Sequence, residues 1–244
     1  MVSWENYRLI SGTPFNDEVL LKQAFVHSSY LNENPDFALP SNERLEFLGD
    51  AVLDFVAAEE LYREFPELPE GELTAIRATL VCRQTLAKLA LSLKLGDLLL
   101  LGRGEEISGG RKKESNLANS IEALIGAIYL DQGLARAKEF ILRQLEPNIK
   151  KIEQGELVPN YKALLQEFTQ SQNHSSPTYH LMRAAGPDHD RQFAVSVLVE
   201  GKALGQGTGR NKKTAEIEAA KSAWTKLQQN EALPASTPRL ARHK

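Results

Sequence analysis

The residues best suited to chemistry in this sequence are acidic and closely spaced. Asn42-Glu43-Arg44-Leu45-Glu46-Phe47-Leu48-Gly49-Asp50 places three carboxylates within eight residues. On a helix turning about 100° per residue, Glu46 lies about 60° from Glu43 and Asp50 about 40° from Glu46, so all three share a face. Like charges at this spacing repel and destabilise an isolated helix. A divalent cation, which prefers hard oxygen ligands, removes that cost. Spacing alone leaves two readings open, a solvated acidic face or a cation site. A second cluster favours the cation. Asn119-Ser120-Ile121-Glu122 offers two more oxygen ligands at i, i+3, among the apolar Leu117, Ile121, Leu124 and Ile125. An acid in such surroundings needs a partner or a metal.

These residues stand in a known pattern. Residues 42–53, NERLEFLGDAVL, closely resemble the signature of the ribonuclease III family. The resemblance continues through Glu70-Gly71-Glu72-Leu73-Thr74 and Arg77-Ala78-Thr79-Leu80-Val81. It resumes at Ser108-Gly109-Gly110 and at Ile121-Glu122-Ala123-Leu124-Ile125-Gly126-Ala127, and so spans nearly all of residues 15–150. It implies an all-α endonuclease domain in which carboxylates from two helices hold Mg²⁺, with Mn²⁺ as a substitute, at the scissile phosphate of double-stranded RNA. Carried over, the metal ligands are Glu43, Glu46, Asp50, Asn119 and Glu122, with Asp50 and Glu122 as the catalytic residues. Glu70 either assists from outside that set or is a plain helix-start acid.

The family usually has Asp where this chain has Asn119. An Asn carbonyl still suits Mg²⁺ but removes one negative charge, so the expectation is weaker metal binding with activity retained. Asp54 is expected to face solvent or an interface, and His27 to pack and hydrogen-bond. The resemblance also implies a homodimer with Phe47 and Gly49 at the interface, one cutting site per subunit, and products with 5′ phosphates and short 3′ overhangs. Ribosomal and other structured RNA precursors are the implied substrates. Residues 103–113 are glycine-rich with Arg111, Lys112 and Lys113. They match no phosphate-binding loop of a nucleotide site, so no nucleotide cofactor is expected, and a mobile surface loop is.

The elements that must position these groups change character along the chain. From about residue 15 to 152 the pattern is helical, with helices expected over 43–65, 74–93 and 115–130. Pro66 and Pro69 break the first. Residues 146–159 hold Pro147, Gly155 and Pro159 among charges and read as a linker, or a short helix and then a linker. Beyond it come a helix over 161–171, a strand over 179–184, and a strand in which Phe193, Val195, Val197 and Val199 alternate. Gly201 marks a turn into a third strand near 203–208. A last helix from Lys212 lines up Ala215, Ala219, Ala220, Ala223, Trp224 and Leu227. This α-β-β-β-α order, with Gly205-Gln206-Gly207-Thr208-Gly209 before Lys212-Lys213-Thr214-Ala215-Glu216, resembles the double-stranded RNA-binding domain, a small α+β fold. By that resemblance Gln166 and His189 reach the shallow minor groove. Lys212 and Lys213, at a helix start that already favours anions, reach phosphates.

The 244-residue chain carries a formal net charge of −3, with 42% hydrophobic and 25% charged residues. That excludes collagen-like and mostly disordered classes. The near-neutral total hides a division: residues 1–155 hold 17 basic and 24 acidic residues, and residues 156–244 hold 12 and 8. One cysteine, Cys82, excludes an intramolecular disulfide or a Cys-based zinc site. No apolar stretch reaches the roughly 18 residues of a membrane span, and the N-terminus lacks a signal peptide, so no membrane partner and a cytoplasmic location are expected. The expected division is a catalytic domain over 5–146, a linker over 147–158, a double-stranded RNA-binding domain over 159–228 and a disordered tail over 231–244. The functional expectation is a Mg²⁺-dependent endoribonuclease that hydrolyses duplex RNA. The rival is a catalytically weak or silent RNA-binding regulator, marked by Asn119.

Overall fold

The structure is a computed structural model that describes residues 14–173, 175–187 and 191–231, the side chains of 172, 173 and 228–231 excepted. His189 and positions 232–244 of the expected tail lie outside the described residues. The chain forms two compact units. One comprises residues up to Glu67 and Ile76–Val158, the other Leu68–Ala75 and Pro159 onward. Nothing in the sequence pattern signalled that a short segment near Pro69 would group with the C-terminal unit.

The first unit is helical: α1 (Glu18–Gln23), α2 (Ser28–Glu33), α3 (Glu43–Glu64), the end of α4 (Glu70–Leu80, of which the residues up to Ala75 group with the other unit), α5 (Arg83–Ser92), α6 (Arg103–Ile107) and α7 (Glu114–Glu153), with 3₁₀ turns at Leu95–Leu98 and Gly110–Lys112. Among its described residues, the one strand-like pairing is the bridge between Val26 and Leu100. Apolar residues at helical spacing drive the assembly. Leu53 and Leu61 of α3, Leu86 of α5, and Leu117, Ile121, Leu124 and Phe140 of α7 are all fully buried.

Two expectations are corrected. The helix expected over 74–93 is two helices, because the chain leaves the helical conformation at Cys82 (φ −65°, ψ 152°) and α5 starts in a new direction. The helix expected to end at 130 runs on to Glu153 as α7, interrupted at Gly133 (φ 80°, ψ 178°) and crossing Pro147. The left-handed φ at Gly133 is one that a side chain would resist. Of residues 147–158, only 154–158 lie outside the helix.

α3 and α7 cross unusually closely. A Cβ on Gly49 would stand 1.8 Å from the Glu122 carbonyl oxygen, and one on Gly126 would stand 2.2 Å from that of Leu45. The two glycines face each other's helix, and their lack of side chains brings the two backbones into contact.

The second unit, from Pro159 on, has α8 (Tyr161–Asn173), β1 (Thr178–Ala185), β2 (Gln192–Val199), β3 (Lys202–Gly209) and α9 (Lys212–Glu231). The sheet is antiparallel in the order β1-β2-β3. The β2–β3 turn takes positive φ at both Glu200 (50°) and Gly201 (76°), which matches the twist of a tight hairpin. Tyr161, Leu165, Val195, Val197, Ala215, Ala219, Ala220, Ala223 and Trp224 form the core, with Phe168 edge-on to Trp224 at 5.9 Å. Cβ atoms on Gly205 and Gly207 would meet the α9 backbone at 2.4 and 2.2 Å. The glycine-rich motif therefore seats the helix on the strand.

Candidate functional site

The α3–α7 crossing builds an acidic cleft of about 460 Å³, lined by Glu43, Glu46, Phe47, Asp50, Arg83, Ala118, Asn119 and Glu122. All five residues expected as ligands line it. Asn42, just before α3, anchors the entrance: its backbone N–H donates to Val26 O (2.8 Å) and its side chain to Ala24 O (3.2 Å). The Glu43 carboxylate accepts a hydrogen bond from the Ser41 hydroxyl at 2.9 Å.

Crowding shows in the acidities. Burial is the largest cause that pushes the Glu122 carboxyl up to about 7; the Asp50 and Glu46 charges add to it, and Arg83 opposes. Glu46 is raised in the same direction, first by burial and then by Glu43, while a hydrogen bond from Asn119 pulls it down. The Asn119 amide therefore supports an ionised Glu46, which an Asp there would instead repel.

Among the described residues, no three His, Cys, Asp or Glu side chains converge into a ready-made cage. The donor set still fits a divalent cation in kind. It offers carboxylate oxygens and one amide oxygen, the ligands of hard ions, and the neighbouring negative charges that raise Glu46 and Glu122 are the kind of crowding a bound cation would relieve.

Other expected residues take structural places. Glu70 opens α4, is exposed and accepts from the Thr74 hydroxyl at 3.0 Å. Asp54 is half-buried, and its carboxyl is raised by burial first, then lowered by Arg77 and raised by Asp50. His27 caps α2 through Nδ1, which accepts from the Ser29 N–H at 3.1 Å. The glycine-rich segment is pinned down, contrary to the mobile loop expected. Arg111 donates to the carbonyls of Gly96 (3.0 Å) and Leu99 (2.9 Å) and to Glu106, and Lys113 pairs with Glu105.

The placement of Gly49 is also corrected. It is buried against the chain's own α7 backbone and offers no surface to a partner. Phe47 is 80% exposed beside the cleft. Arg83 was not singled out from the sequence. It lies outside both acidic motifs, and only the break before α5 directs it into the cleft.

In the second unit, Gln166 on α8 and Lys212 and Lys213 at the start of α9 are exposed. Asn211 serves α9 as a cap: its Oδ1 accepts from the Thr214 N–H at 2.8 Å and hydroxyl at 3.1 Å. The remaining N–H groups of the first turn are left for an anion.

Comparison with known proteins gives a concordant result. Residues 17–149 match the family described as Ribonuclease-III-like, and residues 161–227 match the double-stranded RNA binding motif. Ribonuclease 3 of Desulforamulus reducens is 48% identical over 217 residues, covering 89% of this chain and 88% of that protein. Ribonuclease 3 of Pelotomaculum thermopropionicum is 47% identical over 215 residues, covering 88% of this chain and 89% of that protein. The nuclease domain of Campylobacter jejuni ribonuclease III, solved as a crystal structure, superposes with a TM-score of 0.55 at 42% identity, covering 61% of this chain and 97% of that domain. A second structure of that domain, described as flexible in a region involved in dimer formation, has a TM-score of 0.56 at 42% identity and covers 60% and 98%.

Proposed function

The chain belongs to the ribonuclease III family, and from that premise we propose how its residues divide the work of an endoribonuclease on double-stranded RNA. The observation that carries the reading is the cleft in which Glu43, Glu46, Asp50, Asn119 and Glu122 meet from two crossing helices. These five hold a divalent metal, Mg²⁺ with Mn²⁺ as a substitute. When bound, it would polarise the scissile phosphate, activate a water and stabilise the leaving oxygen. Asp50 and Glu122 are the catalytic residues. Glu122, whose carboxyl is raised to about 7, would be held in its ionised form by a bound cation. Asn119 holds Glu46 in its ionised form and keeps its carbonyl for the ligand set. Water oxygen bonds to phosphorus, the bond from phosphorus to the 3′ oxygen breaks, and the products carry a 5′ phosphate and a 3′ hydroxyl.

Lys212, Lys213 and Gln166 hold the duplex, the lysines at phosphates and Gln166 at the minor groove. A homodimer with Phe47 as an interface knob supplies two clefts, one per strand, and leaves short 3′ overhangs. Its support is the exposure of Phe47 and the dimer-forming region described for the Campylobacter domain. The proposed division is a catalytic domain over 5–146, a connection over 147–158 made of the end of α7 and then residues 154–158, and an RNA-binding domain over 159–228. Among the described residues no helix is long and apolar enough to cross a membrane. A cytoplasmic site of action on ribosomal and other structured RNA precursors fits that.

The test is the Glu122→Gln enzyme on a duplex RNA with Mg²⁺. The loss of a metal-binding carboxylate, at several kcal/mol, lowers cleavage by at least about 10³-fold while gel-shift affinity for the duplex is kept. Unchanged cleavage rejects the site. Absence of cleavage by the unmodified chain under any divalent metal would favour the silent regulator instead.

A further inference from the structure

Among the described residues, Arg83 is the one cationic side chain lining the acidic cleft. It occupies the first position of α5 and is exposed. A guanidinium facing four carboxylates is ordinarily drawn into a bidentate ion pair. Arg83 makes no such pair among the described residues. Its guanidinium, which carries five N–H donors, lines the cleft without a carboxylate paired to it among the described residues. Its charge still reaches the site, where it counters the upward push on Glu46 and Glu122.

We propose that Arg83 binds a non-bridging oxygen of the scissile phosphate and is a further catalytic residue of this site. The inference rests on the reading of the cleft as the cutting site. A phosphate entering here would meet the carboxylates of Glu43, Glu46, Asp50 and Glu122, and the metal that these residues would hold would offset their repulsion. In phosphoryl transfer, charge spreads over the non-bridging oxygens as the transition state forms. A guanidinium that lines the cleft beside that developing charge stabilises the transition state more than the ground state. The competing role is simple charge balance among the carboxylates, and it predicts different behaviour. A residue that only balances charge competes with the metal. Its removal tightens metal binding and leaves the rate at saturating metal alone.

The experiment uses the full chain under single-turnover conditions on a short RNA duplex. Wild type, Arg83→Ala and Arg83→Lys are compared across a Mg²⁺ titration, with the all-oxygen substrate and with sulfur at each non-bridging position of the scissile phosphate. Thermal melting checks the fold. The expected result is a loss of about 10²-fold for Arg83→Ala at saturating Mg²⁺, with duplex affinity within about threefold of wild type. Arg83→Lys, a point charge without the fork, recovers part of the loss. Sulfur at one of the two positions slows the wild type but slows Arg83→Ala much less, because the contact it disturbs is already gone. Equal sulfur effects in wild type and Arg83→Ala overturn the proposal. So does an Arg83→Ala rate that is unchanged at saturating Mg²⁺ with only its midpoint moved. If the wild type leaves the duplex uncut, the cutting-site reading falls, and this inference with it.

Discussion

Glu122 makes the proposed cation site testable through pH. Its carboxyl is held near 7 by burial and by the charges of Asp50 and Glu46. A carboxyl raised in the folded state stabilises the fold fully only below its ordinary value of 4.5, and that contribution is lost as pH climbs through about 7. In metal-free buffer, the melting temperature of wild type relative to Glu122→Gln should fall across this window and level off above it. Mg²⁺ should abolish the fall, since a bound cation favours the ionised form. A pH-independent difference between the two proteins would reject this account. Asn119 gives a second prediction. Asn119→Asp restores a charge to the ligand set, and one added charge at an effective dielectric of about 20 contributes on the order of 1 kcal/mol after desolvation. The Mg²⁺ needed for half-maximal cleavage should drop about threefold or more; an unchanged midpoint would show that the amide costs the site nothing. The ligand candidates were legible in the sequence because i, i+3 and i+4 spacing maps directly onto a helix face. Arg83 was not, because its place depends on where α5 starts after α4 ends, and neither periodicity nor spacing encodes that turn.

At the scale of elements, what matters is the α3–α7 crossing. Glu43, Glu46 and Asp50 come from one helix and Asn119 and Glu122 from the other, and backbone contact at Gly49 and Gly126 sets the distance between the two rows. A methyl group at Gly49 meets a backbone carbonyl, which cannot swing aside as a side chain would. Gly49→Ala should therefore cost about 3 kcal/mol in urea unfolding, the upper part of the overpacking range. It should also reduce cleavage in the molecules that remain folded, because the obstructing carbonyl belongs to Glu122. A variant with wild-type stability would mean that the helices can part freely. Helix existence was legible here, but helix ends were not. The 74–93 pattern stays apolar on one face straight through Val81–Cys82 while the backbone changes direction. Gly133 interrupts α7 only locally, and helical spacing resumes beyond it. Gly49 was placed at the dimer interface by the resemblance alone, and spacing does not show that its face of α3 is taken up by α7 of the same chain.

For the whole molecule, the division of charge bears on duplex binding and on the proposed cutting site in different ways. The N-terminal residues 1–155 carry an excess of acids and residues 156–244 an excess of bases. A polyanion is thus attracted by one unit and, without metal, repelled by the other. Binding and cutting should then respond to different conditions. Each phosphate contact releases counterions and contributes about one unit to the slope of log affinity against log salt. Lys212 and Lys213 are exposed at the first turn of α9, where backbone N–H groups add to their pull. The double variant Lys212→Ala/Lys213→Ala should therefore bind duplex RNA more weakly at low salt and show a slope shallower by about two units. The single-turnover rate at saturating enzyme should stay near wild type, because the cleft is untouched. Raising salt should weaken wild-type binding more steeply than it lowers that saturated rate. If the variant keeps the wild-type salt slope, these lysines do not touch phosphate, and the grip must lie elsewhere on the basic unit.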